Sequence, residues 1–207
     1  MTAVPAPDGH PVQIEIDYPQ SLSRVKTLLR LLLVLPHIVA LLLYVLAACA
    51  ISVPAFLIVL LSGRMAEGFH AFVLAYDRYA LRVLAYLFLL TDRYPPFGGV
   101  EDATYPVRLR CERAQSLSRL HVLIKWLIIL PHVLILMFYA LAVVVVVVLA
   151  WWIILLSGRY PRDLFDFVAG FLRWNTRVAV YAGQWGYIFS PFLGGLLTDK
   201  YPSFSDT

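Results

Sequence analysis

The chain has 207 residues, 61% of them hydrophobic and only 14% charged, with a formal net charge of +4. A mean hydropathy of +0.77 lies far above the soluble range, and the basic residues are scattered beside apolar runs rather than collected on a soluble surface, which argues against a nucleic-acid-binding domain. A basic balance instead suits exposed segments lying against an anionic membrane face.

The first nine residues read as a flexible N-terminus. They carry no basic stretch followed by an apolar one, so no cleaved signal peptide is expected and insertion falls to internal segments. Val12, Ile14 and Ile16 then alternate with Gln13, Glu15 and Asp17. Period two over six residues predicts a half-buried strand. A similar stretch, Val107, Leu109 and Cys111 among Arg108, Arg110 and Glu112, carries mostly basic residues on its polar face. Opposite charges facing across two strands favour pairing them. Cys49 and Cys111 lie in different settings, so neither a disulfide nor a metal site is expected.

Ser21 or Ser23 is placed to cap a helix, and Arg24, Lys26 and Arg30 to grip headgroups by snorkelling. Leu31 to Leu61 follows without a charge. As a helix it would exceed a hydrocarbon core of roughly 30 Å. Pro36 is expected to kink it. His37 is read either as a ligand or proton carrier or as a ring satisfying backbone freed by the proline. Gly63 is a natural stop, with Arg64 at the interface.

A second helix is predicted from Ala66 to Leu90. Glu67, His70, Asp77, Arg78 and Arg82 fall within an arc of roughly 140° on a helical wheel, the pattern of an interfacial helix turning arginines toward phosphates. Spanning instead would put Arg78 near mid-bilayer, at about 2.5–3.5 kcal/mol before any pairing. Leu89 to Pro95 (Leu-Leu-Thr-Asp-Arg-Tyr-Pro) returns the chain to polar surroundings.

The parts then recur. A shift of 95 residues brings Ser21–Arg24 onto Ser116–Arg119, Leu35-Pro36-His37 onto Leu130-Pro131-His132, and Leu60–Arg64 onto Leu155–Arg159. Arg78 and Arg82 meet Arg173 and Arg177 at the same offset. The second apolar run, Trp126 to Leu156, is also uncharged, and the second amphipathic helix starts near Leu164. Only the closing motif departs, with Leu196 to Pro202 displaced by 107 through an insertion within 183–195. The expected architecture is an all-α integral membrane protein built from a tandem repeat, covering 10–99 and 100–207. Each unit comprises a long Pro-kinked hydrophobic helix or helical hairpin plus an amphipathic interfacial helix, with short strands in the preceding polar segments.

Three topologies compete. One crossing per unit would leave the basic linker outside, against the positive-inside tendency. Four crossings bear the arginine cost. Hairpins that dip in and return keep every charge cytoplasmic and rank first, although Cys49–Ser52 and Val143–Val148 make poor turns.

The Leu-Pro-His and Ser-Gly-Arg elements, Arg-Trp-x-x-Arg-Val (Arg173 to Val178) and Thr-Asp-Lys-Tyr-Pro (Thr198 to Pro202) resemble a prokaryotic integral membrane family of unknown function, DUF4389-like, over both repeats. Met65-Ala66 replaces the usual Tyr-Pro after Arg64, and Asp77 stands where tryptophan is commoner. The resemblance implies the inner (plasma) membrane of a prokaryote and supplies no activity, cofactor or catalytic residue.

No Gly-rich phosphate loop, His-x-x-x-His or Cys-x-x-Cys occurs, and no carboxylate pair stands beside a histidine in the apolar runs. The expectation is therefore a non-catalytic scaffold, lipid-interacting protein or accessory subunit without a cofactor. Arg78, Arg82, Arg173, Arg177, Arg64 and Arg159 are the lipid- or anion-binding candidates, and His37 and His132 the intramembrane polar ones. Anionic lipids are the expected partners, with a protein partner or second copy at the strand pair or the 183–195 insertion. The alternative is a small transporter or channel whose arginines line an anion path between the repeats.

Overall fold

The computed structural model describes residues 12–62, 67–111 and 119–183. Arg64, the 184–195 part of the insertion and the closing Leu196–Pro202 motif lie outside the described residues. Those described form, in order, β1 (Val12–Ile16), α1 (Arg24–Ser62), α2 (Glu67–Leu87), β2 (Val107–Cys111), α3 (Arg119–Ser157) and α4 (Arg162–Gly183).

The two alternating stretches pair as an antiparallel ribbon, with Glu15 opposite Arg108 and Gln13 opposite Arg110. Their apolar residues point inward: Val12, Ile14, Ile16, Val107 and Leu109 are all buried. On the outer face Arg108 bridges Glu15 (2.7 Å) and Asp17 (3.0 Å). The ribbon rests on α2 and α4, which supply the apolar support that an isolated two-strand sheet lacks.

The helical hairpins are corrected. α1 and α3 are each one continuous helix of 39 residues, about 58 Å at 1.5 Å per residue. No turn interrupts them because neither Cys49–Ser52 nor Val143–Val148 contains a residue that prefers a bend to a helix strongly enough. Pro36, Pro54 and Pro131 all lie inside the helices. Over Arg24–Ile51 and Ile129–Ser157 the chain is long and apolar enough to cross a membrane. Ser23 caps α1 by accepting from the Lys26 amide, and Gly158, at φ +74°, stops α3.

The second helices also differ from expectation. α2 packs on α1, α4 and β2, and α4 on α3, α2 and β1. Two arginines of the polar arc of α2, Arg78 and Arg82, therefore turn toward the ribbon side rather than outward to headgroups. Leu74, Leu81 and Ala85 from α2 join Val168, Leu172 and Val178 from α4 and the ribbon's apolar face in one core. α2 ends in a Schellman turn, with Leu90 N–H donating to Ala85 O (2.9 Å) and Leu89 N–H to Tyr86 O (3.2 Å). Leu89 takes the left-handed position at φ 67°, a conformation usually left to glycine; its side chain is held in the core at 1% exposure. The chain then folds back so closely that a Cβ on Gly99 would fall 1.8 Å from the Ala75 carbonyl oxygen. Only glycine fits there.

Candidate functional site

α1 turns a seam inward at spacings of three and four: Thr27, Arg30, Val34 and His37 are buried, while the leucines between them are exposed. His37 is fully enclosed, and its Nδ1 is hydrogen-bonded to the Tyr79 hydroxyl of α2 at 2.6 Å. Phe97 stacks on the imidazole (4.4 Å between centroids) and Tyr94 tilts against it (4.6 Å). Tyr94 also donates to the Leu33 carbonyl. The ring thus bonds across to α2 through Nδ1 instead of repairing backbone freed by Pro36.

About two helical turns below lies an ionic clamp. The Arg30 guanidinium pairs with Asp92, donates to the carbonyls of Tyr86 (2.5 Å) and Thr91 (3.2 Å), and lies 4.5 Å over the Tyr86 ring. The second Asp92 oxygen accepts from the Ser23 amide. Asp92 therefore ties the start of α1 to the end of α2.

The second unit repeats the aromatic part at the same offset. Tyr44 lies against Phe72, Tyr76 and Tyr79; Tyr139 lies against Phe167, Phe171 and Trp174. His132 meets Trp174 edge-on at 6.3 Å, so tryptophan stands where the first unit has the bonding Tyr79. A family model described as a domain of unknown function, DUF4389, matches residues 24–98 and again 119–184. The chain belongs to the DUF4389 family. Its two copies begin 95 residues apart, the offset of the aromatic sets. No curated protein and no solved structure matches the chain.

The α2 arginines of the first DUF4389 copy, Arg78 and Arg82, are committed to the ribbon side. Arg78 donates to the Leu109 carbonyl (3.1 Å) and pairs with Glu101 (3.0 Å). Arg82 is 3% exposed and lies over the Tyr105 ring at 5.3 Å. Burial holds its guanidinium below the ordinary value, while Asp102 and Tyr105 act the other way. Asp102 itself is held below the usual carboxylate range, first by hydrogen bonds from Thr104. Arg173 and Arg177 of the second copy are half-buried, and Arg159 is exposed.

A basic group that sequence reasoning treated only in separate pieces gathers where the two copies meet. Arg24 donates to the Leu156 carbonyl at 2.8 Å, and Leu22 N–H to Gly158 O at 3.0 Å. These bonds bring Arg24 of one copy against Gly158 and so next to Arg159 of the other, while the exposed Lys26, one residue beyond Val25, reaches the Asp92 carbonyl (3.5 Å). Nothing periodic relates positions so far apart in the chain, so no sequence signal could have found the grouping. Among the described residues no three His, Cys, Asp or Glu side chains converge to hold a metal.

Asp77 is the remaining surprise. It is 5% exposed, its Oδ2 has no hydrogen-bond partner, and burial pushes its carboxyl up to about 7. At the equivalent place in the second copy stands Leu172, fully buried.

Proposed function

We propose that the protein is a non-catalytic scaffold embedded in the inner membrane of a prokaryote, where it gathers anionic lipid at the junction of its two DUF4389 copies. The supporting observation is the state of α1 and α3: only 11% and 17% of their most apolar windows are buried. The core helix of a soluble domain would be covered. Leu31, Leu42, Phe138, Leu141 and Leu156 are each 59–77% exposed, and lipid is the solvent in which such a surface is stable.

Phosphate contact falls to Arg24, Lys26 and Arg159, which are exposed beside that apolar surface, rather than to Arg78, which holds the Leu109 carbonyl and Glu101, or to Arg82, which is buried over the Tyr105 ring. The same engagement leaves little to support an arginine-lined anion path between the copies.

The test is flotation with vesicles of phosphatidylglycerol or phosphatidylcholine at low salt. The wild type is expected to prefer the anionic vesicles, and Arg24→Gln/Lys26→Gln/Arg159→Gln to lose that preference while still floating. An unchanged preference in the triple variant overturns the lipid role. A chain that stays monodisperse in buffer without detergent overturns the membrane assignment.

A further inference from the structure

Arg78 and Tyr79 are neighbours on one turn of α2, yet they serve opposite surroundings. Tyr79 bonds His37 of α1. Arg78 holds the Leu109 carbonyl of the ribbon and Glu101, a side chain 54% exposed. On the other side of α1 at this level, Leu35, Ile38 and Val39 are 50–58% exposed. Apolar surface and water-demanding charge thus lie at one height along α1, on opposite flanks of the α1–α2 layer.

The coincidence extends along the helix. α2 flanks α1 from the Arg30–Tyr86 bond to the Tyr44–Phe72 contact, a run of about 21 Å. The second copy repeats it: Tyr18, beside the exposed Asp17, packs edge-on against Phe165 at 4.9 Å. Two residues on, the Phe167 carbonyl accepts from Tyr139 of α3, between Phe138 (66% exposed) and Leu141 (68%). One ribbon therefore backs both apolar helices, and its ion pairs Glu15–Arg108 and Asp17–Arg108 face outward.

A slab of hydrocarbon set across α1 would have to enclose Glu101, Arg110 and the ribbon acids together with the leucines, or leave both in water. Ionised side chains are costly in the first case, and a wide apolar surface in the second. Only a membrane plane parallel to the helices separates them. From this the geometry points to a one-sided arrangement: Arg24–Leu46 of α1 and the Leu130–Leu156 part of α3 lie along a single leaflet, with the α2–α4 layer above them and the ribbon in water. Neither long helix is strongly amphipathic by itself. The polar side comes from the ribbon's ion pairs, which the α2–α4 layer carries, so the assembly as a whole lies on the leaflet as an interfacial helix does, although each long helix is long enough to cross. This inference rests on the membrane reading above and adds which face meets lipid and at what angle.

Depth measurement tests it. With Cys49→Ser and Cys111→Ser as background, single cysteines at Leu31→Cys, Ile38→Cys, Leu42→Cys and Leu46→Cys carry an environment-sensitive fluorophore in the full chain. Glu101→Cys serves as the water-side control. Vesicles containing lipids brominated or spin-labelled at different depths quench the label. The expected result is the same depth for all four α1 positions, with Glu101→Cys unquenched. A depth that changes progressively, by roughly 20 Å between positions 31 and 46, overturns the in-plane arrangement and leaves the membrane reading standing. No quenching at any α1 position overturns both and leaves a second copy of the chain as the cover for these faces.

Discussion

A single carboxyl shows how differently the two copies treat one position. Asp77 is buried without a partner for Oδ2, where its counterpart Leu172 fills the same place with hydrocarbon. Its folded value of about 7 against 3.8 means the folded state holds the proton more tightly than the unfolded chain. Its favourable contribution is complete below about pH 3.8, falls as pH rises toward 7, and above that becomes a constant cost on the order of 4 kcal/mol. Asp77→Leu is expected to raise the unfolding temperature at pH 8 and to flatten the dependence between pH 4 and 7. Tryptophan fluorescence during heating in detergent, at several pH values, measures both. Parallel curves for wild type and variant would show that the carboxyl is hydrated after all.

At the level of elements, two kinds of ion pair sit within one fold. Arg30–Asp92 joins the start of α1 to the end of α2 with side chains 2% and 20% exposed. Arg162–Asp166 lies along one turn of α4 with side chains 61% and 40% exposed. Removing a partner from the first strands a buried guanidinium, at about 3–5 kcal/mol; the second contributes less than about 1 kcal/mol. Asp92→Ala should therefore lower the unfolding temperature by roughly 6–20 °C, and Asp166→Ala by no more than a few degrees. Equal shifts would mean that Asp92 is not the link between the helices. The residue types of this clamp were visible in the chain, but Asp92 lies 62 positions from Arg30 and only the fold-back through the Schellman turn closes that distance.

Across the whole molecule, the two DUF4389 copies are not independent beads. β1 pairs with β2 of the next unit, and α2 shares its core with α4. Neither copy alone can bury Leu81 and Ala85 on one side or Val168 and Leu172 on the other. A chain divided within 112–118 keeps both strands in the first half but parts α2 from α4 and α1 from α3. It should reassemble when its halves are expressed together, each half purifying with the other, and each should aggregate alone. Monodisperse, folded separate halves would refute this coupling.

Composition and a repeat at an offset of 95 were enough to determine the apolar character, the duplication, the two strands and their facing charges, and the family. Each of these depends on residue type and on short-range period, which sequence carries directly. Tertiary contact alone decided that the long runs are unbroken helices, that His37 bonds Tyr79, and that the α2 arginines turn toward a ribbon. A helical wheel states which side chains share a face, and the neighbour that occupies the space opposite settles whether that face meets water, lipid or protein.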